Sequence, residues 1–328
     1  MRAAVIPILT LPLWLACGAK GDLIIGVLEP VVAGNSSVSA GAGTGATGAT
    51  GATSAIAGSE QGGVAGLAGT ASEGGGNAGE APLDNGGAPA DVPCVGDEEP
   101  LPGSLIHRYS FDGSGATVRD SVGGADGTLV NGAMLDGSGV LALPGEDITP
   151  PLTPDQYANL PNGLISSLSE VTVIAWTTWM NGAGYERVFD FGISDTGEGQ
   201  GNSGKSYVAV MPSTGFPSGT GLGAEIAMPG VPTLRLGTSE MMINRPAMVA
   251  LSLRSGLDVT LFLDGKLLTQ SATPVKLSDI DDVNDFVGES QWSKDHAYHG
   301  SYTEFRIYDA ALTACQLHTL LVRGPDTP

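Results

Sequence analysis

The stretch Val171–Met180, VTVIAWTTWM, decides the fold class because it is largely apolar on both of its alternating faces. Successive side chains of an extended strand point to opposite sides. One face carries Val171, Val173, Ala175 and Thr177. The other face carries Thr172, Ile174, Trp176 and Thr178. A strand that is covered on both sides is typical of the centre of one sheet in a stacked pair of sheets.

Short runs of the same kind recur along residues 101–328. Each is rich in β-branched and aromatic residues and is bounded by Gly, Pro, Asn or Asp, as strands are. They include SLIHRYSF, SYVAVMPS, AEIAM, TLRLG, MVALSLRS and SYTEFRIYD. The run DVTLFLDGKLL predicts two strands joined by a tight turn at Asp264 and Gly265. Only AALTACQLHTLL has helical periodicity. We therefore predict an all-β fold, a two-sheet antiparallel jelly-roll sandwich.

Residues 1–17 have the features of an export signal. Arg2 precedes the apolar stretch Ala3–Ala16, which is shorter than the ~20 apolar residues that a membrane-spanning helix needs. The stretch ends in LWLAC, which resembles a bacterial lipobox, so we predict that Cys17 is lipidated. The alternative is ordinary signal peptidase cleavage, with Cys17 lost or left free.

Residues 18–100 are predicted to be a disordered linker of low complexity. From Gly34 to about Pro93 the chain consists mainly of Gly, Ala, Ser and Thr, and it includes the repeat GATGATGAT. Such a segment cannot bury enough apolar surface to offset the loss of backbone entropy on folding. The Gly/Ala/Ser/Thr-rich linker would hold a single domain, residues 101–328, away from a membrane. The alternative is a spacer whose length is not selected.

The charge of the chain excludes two classes of partner. Its 14 Lys and Arg stand against 35 Asp and Glu, for a formal net charge of −21. Two of the basic and ten of the acidic residues precede residue 101, so the domain carries −13. An acidic surface repels nucleic-acid phosphates and anionic lipid headgroups. We expect no nucleic-acid partner, and membrane contact only through a lipid anchor.

Three stretches of the domain share a pattern of aromatic, Asp and Gly residues. They are RYSFDGSGATVRDSVGGADGTLVNG, ERVFDFG and DVNDFVGESQWSKDHAYHGSYTEFRIYDAALTACQL. The pattern resembles the LamG-like jelly roll of the concanavalin A-like lectin/glucanase superfamily. The resemblance covers about residues 104–320, and EFRIYDAALT is its most specific part. It implies that the first strand lies beside the last.

If the two ends of the domain meet, two of the cysteines lie close enough to pair. With Cys17 assigned to the lipobox, Cys94 precedes the first strand and Cys315 follows the last. We predict that Cys94 and Cys315 form a disulfide bond, as expected in an oxidising compartment. The alternative is two unpaired thiols.

Related jelly rolls often carry a structural calcium between the first loop and the last strand. The resemblance implies Asp112, Asp120 and Glu304 as its ligands, and calcium prefers such carboxylates on irregular, Gly-rich backbone. The alternative is that Asp112 and Asp120 accept Asx-type hydrogen bonds in turns. We expect no other cofactor.

Two loops combine aromatic residues with polar ones, as carbohydrate sites do. Aromatic rings stack on the C–H faces of sugars, while neighbouring amides and carboxylates bind the hydroxyls. The predicted ligand-binding residues of one loop are Gln291, Trp292, Asp295 and Tyr298. Those of the other are Trp179, Asn181 and Tyr185. The alternative is that these aromatic side chains only cover the core.

Motifs for catalysis are weak. GQGNSGKS at Gly199–Ser206 matches a P-loop, but a β-rich run follows it where a helix is required. We find no E-x-D-x-x-E arrangement of the kind that retaining glucanases use. His296 and His299 lack an evident third ligand for zinc. We therefore predict that the chain is not an enzyme.

The predicted function is non-catalytic recognition or adhesion at the cell surface, with extracellular polysaccharide as the partner. A surface protein is the alternative partner, and a glycan-cleaving enzyme is the less favoured alternative. The predicted location is the outer membrane or cell surface, as a lipoprotein, or the medium if Cys17 is not acylated.

Overall fold

The computed structural model describes residues 94, 101, 105–145, 154–180, 183–214, 220–240 and 242–327. The predicted signal peptide and the lipidation of Cys17 lie outside these residues, and so does the predicted linker apart from Cys94. None of the helices in the described part is long and apolar enough to cross a membrane.

The described residues form 17 strands, one 3-10 turn and one α-helix. The first nine strands are β1 (Leu105–Tyr109), β2 (Ser114–Gly115), β3 (Thr117–Val118), β4 (Gly127–Val130), β5 (Leu135–Asp136), β6 (Leu141–Pro144), β7 (Tyr157–Leu160), β8 (Glu170–Trp179) and β9 (Phe189–Ser194). The others are β10 (Gly204–Met211), β11 (Gly223–Met228), β12 (Val231–Gly237), β13 (Pro246–Arg254), β14 (Asp258–Leu263), β15 (Lys266–Ala272), β16 (Asn284–Val287) and β17 (His299–Tyr308). The 3-10 turn is Leu277–Asp279, and the helix is α1 (Ala314–Arg323).

Two large sheets contain most of these strands, and their pairings are antiparallel. The seven-stranded sheet has the order β1-β17-β8-β13-β14-β15, and β6 also pairs with β17. The eight-stranded sheet has the order β12-β11-β10-β9-β16-β7-β4-β3. Strands β2 and β5 form a separate small sheet. The predicted two-sheet antiparallel sandwich is confirmed.

One hydrophobic core lies between the two large sheets. Val171, Val173 and Ala175 of β8 face it from one sheet, and Val208 and Val210 of β10 face it from the other. Because side chains alternate along a strand, the residues between these point away from the core. We call the side of the eight-stranded sheet that is turned away from the core its outer face.

The opposite side of β8 is covered as well. Ile174 and Trp176 belong to a second apolar cluster, to which α1 contributes Leu317 and Leu320. Helix α1 begins after Thr313, whose hydroxyl accepts from the Gln316 amide in a capping box. A helix therefore packs on the outside of the seven-stranded sheet, which explains why VTVIAWTTW is largely apolar on both faces.

The predicted hairpin is present as β14 and β15. Asp264 and Gly265 connect the strands and have φ angles of 51° and 76°. Two central residues with positive φ form a type I′ turn, which matches the twist of the strands. Leu263 and Lys266 are paired directly across the turn.

The first and last strands meet, as the resemblance implies. Strand β1 pairs with β17 along the edge of the seven-stranded sheet. Cys94, ahead of β1, forms a disulfide bond with Cys315 in α1, and their Cα atoms are 5.3 Å apart. The predicted disulfide is confirmed, and it links the two ends of the domain covalently.

Candidate functional site

A pocket of about 190 Å³ combines residues from both predicted loops with residues of the eight-stranded sheet. Three of the predicted ligand-binding residues line it, namely Tyr185, Trp292 and Asp295. The sheet and its approaches supply Arg187, Tyr207, Glu225 and Arg235. Asn181, which is predicted to bind beside Tyr185, lies outside the described residues.

Strands β10, β11 and β12 form the polar floor of the pocket. Val208 and Val210 face the core, so their neighbour Tyr207 points to the outer face. Its hydroxyl donates to Oε1 of Glu225 at 3.0 Å. Arg235 lies directly opposite Glu225 on the next strand, and its Nη2 donates to the same Oε1 at 3.1 Å.

The loop after β16 forms a wall of the pocket. The amide of Gly201 donates to the carbonyl of Gln291 at 3.0 Å and so holds this loop against the start of β10. Gly204 allows two aromatic residues to approach each other above it. A Cβ atom at this position would lie 2.6 Å from the Tyr207 ring and 2.7 Å from Nε1 of Trp292. Glycine is therefore needed at position 204 for Trp292 to lie beside Tyr207.

Arg187 fixes the position of the second wall. Its side chain is 2% exposed. Its Nη2 donates to Oδ2 of Asp295 at 2.7 Å, and its Nη1 donates to the Tyr185 carbonyl at 2.7 Å. Its Nε donates to Oδ2 of Asp190 at 3.3 Å, and the hydroxyl of Ser290 completes the contacts of Asp295 at 2.8 Å. The planar guanidinium thus holds Tyr185 and Asp295 in one fixed arrangement.

Two carboxyl groups behind the pocket are difficult to ionise. Burial raises the pKa of Asp190 to about 7, although the charge of Arg187 acts in the opposite direction. Burial also raises the pKa of Glu289 to about 8. Both residues are 0% exposed, so a ligand cannot touch them, and Asp190 acts on the pocket through its contact with Arg187.

Sequence reasoning missed four pocket residues, namely Arg187, Tyr207, Glu225 and Arg235. Two of them carry a signal that could have been used. In GAEIAM and TLRLG, a charged residue stands at a position where alternation turns the side chain away from the core. The sequence does not show that β11 and β12 place these two charges opposite each other.

Three predicted ligand-binding residues belong to the interior instead. Trp179 donates its Nε1 to the buried Glu186 at 2.8 Å. The hydroxyl of Tyr298 forms a hydrogen bond with that of Thr177 at 2.7 Å. Gln291 donates its Nε2 to two main-chain carbonyls at 3.1 and 3.3 Å. All three are at most 1% exposed, so their side chains are not accessible to a ligand.

The carboxylate of Asp120 accepts hydrogen bonds within a turn and is not open to a cation. Four main-chain amides donate to its carboxylate at 2.9 to 3.0 Å, those of Arg108, Val122, Gly123 and Ala125. Nδ1 of His107 lies 2.7 Å from its Oδ2. Although burial opposes ionisation, these hydrogen bonds hold the pKa of Asp120 at about 2. The contacts agree with the alternative of Asx-type hydrogen bonds.

The other two predicted calcium ligands do not complete a site around Asp120. Glu304 is buried, and its Oε1 lies 2.5 Å from Nε of Arg108 and 2.6 Å from Nε of Arg306. Asp112 is exposed. The described residues include no group of three or more His, Cys, Asp or Glu that could hold a metal ion. In this arrangement the residues do not fit calcium, because donors already surround the two buried carboxylates.

Two antiparallel sheets over one core, with the first and last strands paired, define a jelly-roll sandwich, here with a polar and aromatic pocket on one outer face. A family model of laminin-G type, described as the concanavalin A-like lectin/glucanases superfamily, matches residues 152–318. The chain belongs to this superfamily. No curated protein sequence matches the chain.

Solved structures share parts of this fold at low identity. Domain 4 of an extracellular arabinanase from Geobacillus stearothermophilus, in complex with arabinotriose, is 19% identical, with a TM-score of 0.47 over 65% of this chain and 96% of that chain. Trypanosoma rangeli sialidase is 15% identical, with a TM-score of 0.47 over 70% of this chain. The chain spans only 35% of that sialidase. A carbohydrate-binding module of Ruminococcus gnavus IT-sialidase is 19% identical, with a TM-score of 0.39 over 48% of this chain and 85% of that chain.

Proposed function

We propose that the chain is a non-catalytic recognition or adhesion protein of the cell surface, and that it binds extracellular polysaccharide in the pocket lined by Tyr185 and Trp292. The observation that carries this proposal is the pocket itself. Two aromatic residues from different loops lie beside the carboxylates of Asp295 and Glu225. This combination suits a sugar, which offers C–H faces to rings and hydroxyls to charged groups.

The exposure of the pocket residues supports a binding role. Tyr185 is 41% exposed, and Trp292 is half-buried in the loop between β16 and β17. Their main chains are held by Arg187 and Gly201, so little order has to be gained when a ligand binds. Side chains that are accessible but already positioned are what a recognition site requires.

The ionisation of the pocket supports binding rather than hydrolysis. Glycosidases use one carboxyl group with a raised pKa next to the bond that is cleaved. The carboxyl groups with strongly raised pKa values near this pocket, Asp190 and Glu289, are covered. The two carboxylates that line the pocket, those of Asp295 and Glu225, each form an ion pair with an arginine.

The disulfide supports the proposed location. Disulfides persist in oxidising compartments outside the cytosol, and Cys94–Cys315 links the domain ends. We propose that the domain lies outside the cell, held by a lipid on Cys17 and the linker of residues 18–100; the disulfide and the N-terminal sequence support this proposal.

A glycan array with the full chain tests this function. Trp292→Ala and Tyr185→Ala should each weaken binding to the selected glycan about tenfold or more, because each removes an aromatic contact at the pocket. Met134→Ala is the matched control, since Met134 is 61% exposed and does not line the pocket. Binding that both pocket variants retain in full, with unchanged melting temperatures, would refute the site. Binding to a surface protein alone would favour the alternative partner, and release of reducing sugar would refute the non-catalytic role.

A further inference from the structure

We infer that the pocket selects a single uncharged sugar ring and discriminates against sugars that carry a carboxylate or a sulfate. The inference rests on the proposed function and adds the class of sugar to it. It follows from the way in which charges are paired within the pocket, and from the size of the pocket.

Both arginines of the pocket are already neutralised by carboxylates. Arg187 is enclosed, with Asp295 at 2.7 Å and Asp190 at 3.3 Å. Arg235 lies 3.1 Å from Glu225, whose side chain is 7% exposed. Arg187 is too enclosed to reach an acidic sugar. The side chain of Arg235 is 53% exposed, but Glu225 offsets its charge, so an acidic sugar beside it would also meet the negative charges of Glu225 and Asp295.

The net negative charge of the domain also disfavours acidic sugars. Residues 101–328 carry 12 Lys and Arg against 25 Asp and Glu, so the domain is strongly acidic. Such a surface repels an approaching anion and lowers its association rate. A neutral sugar does not experience this repulsion.

The remaining polar atoms suit hydroxyl groups. The hydrogen bonds to Glu225 fall on Oε1, and those to Asp295 fall on Oδ2. Glu225 Oε2 and Asp295 Oδ1 are therefore left to accept hydroxyl protons, and Nε1 of Trp292 can donate to a hydroxyl oxygen. Such oxygens would repel a sugar carboxylate but can each accept from a neutral hydroxyl.

The volume limits the ligand to about one ring. Pockets that enclose a drug-sized ligand measure roughly 300–1,000 Å³, and this pocket measures about 190 Å³. A polysaccharide would therefore place one residue in the pocket, and the rest of the polymer would extend over the surface.

The test uses pairs of glycans that differ by a single carboxylate, such as galactosides against galacturonides and glucosides against glucuronides, with a sulfated galactoside as a third arm. The full wild-type chain should bind the neutral member of at least one pair tenfold or more tightly. Equal or tighter binding of the acidic members would overturn the inference, while the proposed function would stand. No binding to any member would overturn the proposed function itself.

Glu225→Gln tests the physical cause. It removes the charge that neutralises Arg235 but keeps an acceptor for the Tyr207 hydroxyl. The ratio of neutral to acidic binding should fall about tenfold in favour of the acidic sugar. The double variant Glu225→Gln/Arg235→Gln restores charge balance and should restore the preference for the neutral sugar. An unchanged ratio in Glu225→Gln, in a variant with wild-type melting temperature, would overturn the inference.

Discussion

Arg187 shows how a single side chain can organise the pocket. Three of its nitrogens donate to Asp295, Asp190 and the Tyr185 carbonyl, and the side chain is almost inaccessible. The sequence ERVFDFG indicates a strand but does not indicate that this arginine turns toward the outer face. Its role depends on Asp295, which lies more than a hundred residues later. A partner so distant in sequence cannot be predicted from local patterns.

The buried carboxyls of Asp190 and Glu289 make stability depend on pH. Their pKa values are 3.8 and 4.5 in the absence of burial, and about 7 and about 8 in the folded chain. The folded state therefore binds more protons than the unfolded state between these values. The stability that they contribute is fully present below their unfolded pKa values and is lost as pH rises through the folded ones.

We therefore expect the melting temperature to fall between pH 5.5 and pH 8.5. Glu289→Gln should reduce this fall, because an amide does not titrate in that range. Asp112→Asn is the control, since Asp112 is exposed, and it should leave the fall unchanged. A melting temperature that rises over the same interval would contradict the assignment of these two groups.

The contacts of Asp120 and Glu304 also make a prediction about metal removal. Amides and guanidinium groups already occupy these carboxylates. We expect the same melting temperature with excess calcium and with a chelator. A midpoint that rises with calcium in the wild type, but not in Asp120→Asn, would restore Asp120 as a calcium ligand.

Among the elements, the hairpin turn between β14 and β15 is constrained by the backbone of helix α1. Gly265 has a φ of 76°, and a Cβ atom there would lie 2.9 Å from the Cα of His318 in α1. Gly256, in the preceding turn, has a φ of 70°, but its nearest neighbour would be the flexible Lys276 side chain at 3.4 Å. The two glycines therefore differ in contact rather than in backbone conformation.

Alanine substitutions at these two glycines separate the cost of a positive φ from the cost of a clash with helix α1. Gly256→Ala should destabilise the domain by about 1–2 kcal/mol through its left-handed φ alone. Gly265→Ala should cost an additional ~1–3 kcal/mol, because the new methyl group meets helix backbone that cannot move aside cheaply. Urea unfolding measures both. Equal losses would show that α1 does not pack closely on this turn.

Local sequence patterns predicted the long strands and the helix well, but they did not predict which strands pair with each other. The long strands β8, β13 and β14, the type I′ turn and α1 follow from alternation, turn residues and helical period. The two-residue strands β2, β3 and β5 are too short to leave a periodic signal. The strand order depends on contacts between distant segments, and so does the meeting of Tyr185 with Trp292 and Asp295 in one pocket, which local patterns do not show.

For the whole molecule, the disulfide should contribute a measurable part of the stability. Cys94 and Cys315 are 221 residues apart in sequence, and the chain-entropy model gives roughly 4–5 kcal/mol for such a loop, usually more than is measured. We expect Cys94→Ser/Cys315→Ser to lower the free energy of unfolding by about 2–4 kcal/mol in urea. A reducing agent should lower the stability of the wild type similarly and should not affect the double variant. An unchanged wild type in reducing agent would show that the bond is not formed in solution.

The disulfide also determines how mechanical load enters the sandwich. Strand β1 is at the edge of its sheet and pairs only with β17 among the described strands. Tension along the preceding chain would therefore break the β1–β17 hydrogen bonds one after another. Because Cys94 lies ahead of β1 and is bonded to α1, that tension passes through the sulfur atoms into the helix instead. If the domain is tethered through residues 18–100 and binds a fixed polysaccharide, as we propose, its edge strand would therefore stay paired when the tether is pulled.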